Sequence, residues 1–152
     1  MSDKIEKAPR TEQAVETFLK GYLCSQAVFS TYAPLYGIDE KQALKIATGF
    51  GSGMARMEEV CGAVTGAFMV IGAKDGMTDP SDRPSLGKTF KGVQELASRF
   101  RKLHGTIICR EILGGIDLNT EDGQKEFHAK NLRKTICAQC VRDAAKLLEE
   151  LD

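Results

Sequence analysis

The residues best suited to chemistry in this chain are its five cysteines, Cys24, Cys61, Cys109, Cys137 and Cys140. Thiolates are nucleophiles, redox couples and soft metal ligands. An odd number of them, in a chain that opens with the polar stretch MSDKIEKAPRTEQ rather than an apolar secretory segment, argues against a disulfide framework and for metal or redox chemistry. No single loop holds the five, so the fold must gather them if they act together. Cys137-Ala138-Gln139-Cys140 is the only CxxC. On a helix its thiols share a face at i, i+3 spacing. At a helix start this is the geometry of a redox dithiol, and in zinc sites it supplies half of the ligands. With no second CxxC, a larger site recruits Cys24, Cys61 or Cys109 from distant segments. Taken singly, Cys24 beside Leu23 and Ala27, Cys109 after Ile107-Ile108, and Cys140 beside Val141 and Ala144 read as buried core positions.

Cys61 sits in a more pointed context, the stretch EEVCGAVTGAFMVIGA over Glu58–Ala73. Glycine inside a helix is unfavourable by roughly 1 kcal/mol relative to alanine, so Gly62 and Gly66 in a helical apolar run call for a reason. One reason is packing: Gly62, Ala63, Gly66 and Ala67 form a small-residue face for a neighbouring helix, with Cys61 a small buried hydrophobe. The other is chemical. A cysteine at the helix start meets unpaired N–H groups and the positive dipole end, which stabilise a thiolate. The glycines then leave room for a partner sulfur or a metal cluster, and the two reasons are compatible. Other motifs carry less. His104 and His128 suit capping or surface positions. The Gly49–Gly53 GxGxG follows a helix and lacks the dinucleotide-loop context. An alkylhydroperoxidase-like thiol site expects a histidine soon after CxxC, whereas Cys140 is followed by Val-Arg-Asp-Ala-Ala-Lys.

The elements that must position these thiols are helices. Thr11 is a plausible N-cap for a first helix through about Tyr32, with Cys24 inside it. Asp39, with Gln42 three residues on, caps a second helix to about Thr48. A glycine-rich turn leads to a third helix over about Cys61–Lys74. A fourth runs from about Ser85 to His104 and stops at Gly105. A short one over Ile107–Leu113 carries Cys109 and ends at Gly114-Gly115. After a turn-rich segment at Ile116–Gly123, a last helix spans about Leu132–Leu151. The expected fold is all-α, a single-domain bundle of about five to six helices over residues 11–152, preceded by a polar tail at 1–10.

The 152 residues suffice for one such core. Twenty-one basic residues balance 21 acidic ones, so no charged field points to nucleic acid. The longest apolar stretch, Cys61–Ala73, is shorter than the roughly 20 residues that span a bilayer. A cytoplasmic protein is the simplest expectation. The small-residue face of the third helix suits either the bundle interior or a homodimer.

Together these features resemble the C_GCAxxG_C_C family of redox-active proteins. The residues that carry the resemblance are Cys24 in Leu23-Cys24-Ser25-Gln26-Ala27-Val28, Cys61-Gly62-Ala63-Val64-Thr65-Gly66, Cys109 in Ile108-Cys109-Arg110-Glu111-Ile112-Leu113-Gly114, and Cys137, together with the glycine-rich Gly49–Met54 turn. They cover the chain from about Phe18 to Leu151. The family label writes glycine before cysteine, whereas here Cys61 precedes Gly62. Aligning Val141-Arg142-Asp143-Ala144-Ala145 with the family's closing helix gives the last cysteine position to Cys137 and leaves Cys140 additional. A similar domain occurs in the split-Soret cytochrome. What the resemblance implies is a four-thiolate site of Cys24, Cys61, Cys109 and Cys137 holding an iron–sulfur cluster for electron transfer, or else zinc, with a redox partner still to be named. Two other expectations stand beside it: metal-free dithiol chemistry, with Cys61 and Cys137 as the reacting pair, and a helical scaffold with merely buried thiols.

Overall fold

The computed structural model describes residues 8–151. Most of the expected polar tail, residues 1–7, lies outside the described residues, as does residue 152. The helices in chain order are α1 (Arg10–Leu19), α2 (Cys24–Tyr32), α3 (Glu40–Ala47), the single turn α4 (Gly51–Met54), α5 (Gly62–Asp75), α6 (Arg83–His104), the short α7 (Cys109–Ile112), α8 (Glu121–Ala129) and α9 (Ala138–Glu150). Two 3-10 turns, Ala33–Tyr36 and Thr48–Phe50, and a π-helical turn, Arg133–Cys137, complete the set. Among the described residues there is no strand, only an isolated antiparallel bridge between Val60 and Ile108. The all-α expectation holds, with more helices than the five to six anticipated.

Besides the single turn α4, two differences account for the extra elements. The expected first helix breaks at Lys20–Leu23, where Gly21 takes a φ of +114°. Pro9 rather than Thr11 precedes the first turn, and Cys24 opens α2 instead of lying mid-helix. The apolar positions Phe18, Tyr22 and Ala27 keep a helical rhythm across this break, so periodicity alone joins the two helices. The second difference is α8, capped by the Thr120 hydroxyl, which accepts from the Gly123 N–H at 3.0 Å. Its sequence, EDGQKEFHA, is mostly polar and shows no apolar stripe.

Local signals located the remaining boundaries. Asp39 accepts from the Gln42 N–H at 3.2 Å and starts α3. Gly105, with φ +81°, ends α6, because a left-handed residue closes a helix at little cost when it is glycine. Cys61 is the N-cap of α5, in extended conformation.

Helix α5 is the centre of the bundle, with Gly62 through Ala67, Val70 and Ile71 all buried. Its most extensive contact is with α2, and α6 and α9 cover other faces. Gly66 permits the α2 crossing: a Cβ there would stand 2.8 Å from the Ser25 carbonyl oxygen. The Ser25 hydroxyl donates to the Ala47 carbonyl at 2.8 Å, and Gln26 donates to the Leu44 carbonyl at 3.0 Å, tying α2 to α3. Gln26 also accepts from the Leu23 N–H at 3.0 Å, closing the start of α2 beside Cys24. A second, smaller apolar cluster (Cys109, Leu113, Ile116, Leu118 and Leu132) lies apart from the main core. No described helix is long and apolar enough to cross a membrane.

Candidate thiol site

All five cysteines line one cavity of about 200 Å³. Each arrives by a different local device. Cys24 is the first residue of α2 and Cys61 the N-cap of α5. Cys109 opens α7, and it is clasped to Cys61 across the Val60–Ile108 bridge: the Cys61 N–H donates to Ile107 O at 2.7 Å and the Cys109 N–H to Glu59 O at 2.6 Å. Cys137 ends the π-helical turn, and Cys140 follows one turn into α9. π-helical turns inside α-helices occur frequently at functional sites. Here one ends on Cys137, the first cysteine of the CxxC.

The approach to Cys61 is a left-handed turn. Ser52, Gly53, Met54, Ala55 and Arg56 have φ of 56, 65, 64, 54 and 66°. For residues with a Cβ this costs roughly 1–2 kcal/mol each. Such runs persist only where the surroundings impose them, commonly at functional sites. Here the Ala55 N–H donates to Gly51 O at 2.8 Å and the Glu59 N–H to Gly53 O at 2.9 Å. Gly53 leaves no room for a side chain, because a Cβ there would stand 2.7 Å from both the Cys109 Cβ and the Glu58 Cα. Gly62 lines the cavity too, and a Cβ on it would come within 3.3 Å of the Cys24 Cβ. Gly66, expected beside Gly62 at the site, lies one turn deeper and faces Ser25 of α2 instead of the cavity.

Cys140, with the backbone N–H groups of Ala63 and Val64, holds the Cys61 thiol below its ordinary value although burial opposes it. Cys140 is pushed up, first by Cys61 and then by burial. Cys24 is raised by its hydrogen bond to Cys137 and by burial. Burial, with the neighbouring thiols and Glu58 adding to it, pushes Cys109 up to about 12. The charged side chains on the cavity wall are Arg56 and Arg133, and no carboxylate lines it. Arg133 donates to the carbonyls of Phe18 and Tyr22 and stacks 3.9 Å over the Phe18 ring, pinning the end of α1 to the π-helical turn.

A rate measurement follows from this ordering. Thiolates react and thiols do not, so limiting iodoacetamide at neutral pH is expected to modify Cys61 first, with an inflection below the ordinary thiol value of about 8.5. Cys140→Ala removes the thiol that lowers Cys61 most and moves that inflection upward. Peptide mapping of the alkylated protein checks both; equal rates at all five cysteines would contradict the assignment.

A closed single-ion site is a different arrangement. Zinc–sulfur bonds of about 2.3 Å in a tetrahedron put the sulfurs about 3.8 Å apart. Among the described residues, no three or more His, Cys, Asp or Glu side chains are grouped so as to hold a metal ion. The thiols stand around a space instead.

The family model described as "Putative redox-active protein (C_GCAxxG_C_C)" matches residues 22–151. The chain belongs to the C_GCAxxG_C_C family. Comparison with curated proteins and with solved structures finds no match. Cys24, Cys61, Cys109 and Cys137, the cysteines expected to act together, share one cavity with Cys140.

Three further residues take part in the site of this C_GCAxxG_C_C protein that the sequence did not single out. Arg56 and Arg133 carried no motif, and only the contacts of distant segments place them at the cavity. Glu58 was quoted only as the edge of the glycine motif. It is 2% exposed, accepts the Leu118 N–H on Oε1 at 2.9 Å, and leaves Oε2 without a partner. Its backbone carbonyl accepts the Arg110 N–H at 3.2 Å, so it braces α7 behind Cys109. The histidines lie elsewhere. His104 ends α6, stacks on Phe100 at 4.3 Å and pairs with Asp143 at 2.8 Å. His128 is exposed in the last turn of α8.

Proposed function

We propose that this chain is an electron-transfer protein whose Cys24, Cys61, Cys109 and Cys137 hold an iron–sulfur cluster. One observation carries the reading: a cavity of about 200 Å³ on whose wall all four of these thiols stand, with Arg56 and Arg133 as its charged lining. A cluster ligated by four thiolates is anionic, and its sulfur ligands stand apart around a body of iron and sulfide. The arginines, together with the α2 and α5 N-termini at Cys24 and Cys61, supply the compensating positive potential. When bound, the cluster supplies a one-electron couple. The chain's own residues bind it, and Leu113, Leu118 and Phe127 on the wall limit water. The reading implies a redox partner and suits a reducing, cytoplasmic setting.

Anaerobic incubation of the reduced protein with ferrous iron and sulfide tests it. The expected result is a brown protein containing iron and acid-labile sulfide. Cys24→Ser and Cys109→Ser, which leave the Cys61–Cys140 pair untouched, should each lose most of both. Stoichiometric zinc in colourless protein would overturn the reading in favour of a structural ion. Metal-free protein whose free-thiol count rises on reduction would leave dithiol chemistry. Failure of all three, with unchanged behaviour of Cys61→Ser and Cys137→Ser, would leave a scaffold.

A further inference from the structure

The thiol cavity meets the surface within a frame of four segments. Leu23 of the α1–α2 link, Arg56 of the left-handed turn, Phe127 of α8 and Arg133 of the π-helical turn line it and are each at least partly exposed. Cross-ties fix this frame. The Asn119 side-chain amide donates to the Arg56 carbonyl at 2.7 Å, and Arg133 donates to the Tyr22 carbonyl at 3.0 Å. A surface held in this way costs a partner little ordering. The frame is also basic, on a chain whose 21 basic and 21 acidic residues balance. Lys20 lies between Phe18 and Tyr22, whose carbonyls accept from Arg133, and Lys134 follows Arg133; both lysines are exposed. Among the described residues, no ion pair reaches Lys20, Arg56, Arg133 or Lys134. The carboxylates of the adjoining segments have local partners. Glu121 pairs with Lys125 at 3.3 Å, Glu126 with Lys130 at 2.6 Å, and Asp117 accepts the Asn119 N–H at 2.9 Å. Leu19, Tyr22 and Met57, all exposed, adjoin the free cations in the chain. Tyrosine, methionine and arginine are side chains enriched where proteins dock.

We infer that this frame is the docking surface for an acidic one-electron carrier protein, which brings its redox centre to the mouth of the thiol cavity. The acidity of the partner follows from the frame; its being an electron carrier rests on the iron–sulfur reading above. Four cations among scattered apolar residues fit a protein patch. Nucleic acid is gripped through a longer row of phosphate contacts, and a membrane surface takes a continuous apolar helix face. The exchange forms and breaks no bond. One electron leaves the carrier, which is oxidised, and the four-thiolate site is reduced by that electron. Charge complementarity of this kind acts chiefly on the association rate and is screened by salt.

The probe is an acidic two-iron ferredoxin. In the first arm the full-length, cluster-free chain and the ferredoxin are treated with a carbodiimide at low salt, which joins lysine amines to carboxylates in contact, and the linked peptides are mapped. Links at Lys20 and Lys134 are expected, and their loss at about 0.5 M sodium chloride, where charges are screened beyond a few ångström. No link, or links chiefly at the exposed Lys91 and Lys102 of α6, a helix absent from the cavity wall, would overturn the docking surface. So would binding of the chain to phosphatidylserine vesicles with none to the ferredoxin. The second arm follows reduction of iron- and sulfide-loaded protein by the ferredoxin in stopped flow. Lys20→Glu with Lys134→Glu is expected to slow the second-order step about tenfold at low salt, with iron content and reduction by dithionite unchanged. Equal slowing by Lys91→Glu with Lys102→Glu would reduce the effect to net charge and overturn the proposal. If the chain takes up no iron, the electron-transfer reading fails, and the mapped links alone decide whether an acidic protein docks here.

Discussion

Phe100→Ala is expected to lower the unfolding temperature by roughly 10 °C. Phe100 is 0% exposed on the inner face of α6, within the main core. Truncating a fully buried phenylalanine to alanine costs about 3–5 kcal/mol, through lost burial and the cavity left behind. For a chain of this size each kcal/mol moves the midpoint by roughly 2–4 °C. A second loss adds to the first. The Phe100 ring stacks on His104, and His104 holds Asp143 of α9 at 2.8 Å. Asp143 also accepts from Gln139 at 2.9 Å, inside the CxxC. Loosening α6 therefore loosens the helix that carries Cys140. A thermal melt with urea titration checks the stability change, and a shift of only a few degrees would mean that the site collapses around the missing ring.

Gly53→Ala is expected to damage the thiol site more than any other single added methyl on its wall. Its φ of +65° disfavours alanine, and the new Cβ would stand 2.7 Å from the Cys109 Cβ and 2.7 Å from the Glu58 Cα. The second of these is backbone and has little freedom to yield. Left-handed strain of about 1 kcal/mol and overpacking of about 1–3 kcal/mol combine into a substantial loss. The structure contains its own control. Gly114 has a φ of +71° but open space around its Cβ position, so Gly114→Ala carries only the backbone cost. Urea midpoints for the two variants, with the iodoacetamide pattern of the cysteines, separate the contributions. Equal midpoints would show that the Cys109–Glu58 contact has room to spare.

Much of the bundle was legible in the chain because its signals are local. Asp39 with Gln42, the stop at Gly105, and Cys61 ahead of an apolar run each depend on a few consecutive residues, and each lies where expected. Periodicity failed where it was either too continuous or too weak. It ran Phe18, Tyr22 and Ala27 together across the break at Gly21, and it gave no stripe for polar α8. Gly66 shows the same limit: its spacing marks a face of α5, but which neighbour meets that face depends on α2.

The site divides in the same way. Residue types were enough to bring all five cysteines forward, because thiols carry their chemistry wherever they stand. That they meet at one wall was settled by contacts between residues far apart in the chain. The Val60–Ile108 bridge sets Cys61 beside Cys109, Arg133 reaches back to Phe18, Glu58 reaches forward to Leu118, and the π-helical turn and α9 bring Cys137 and Cys140 to the same cavity. Helix starts and caps follow from neighbouring residues. The cavity and its arginine lining come from long-range packing, which no short stretch of sequence encodes.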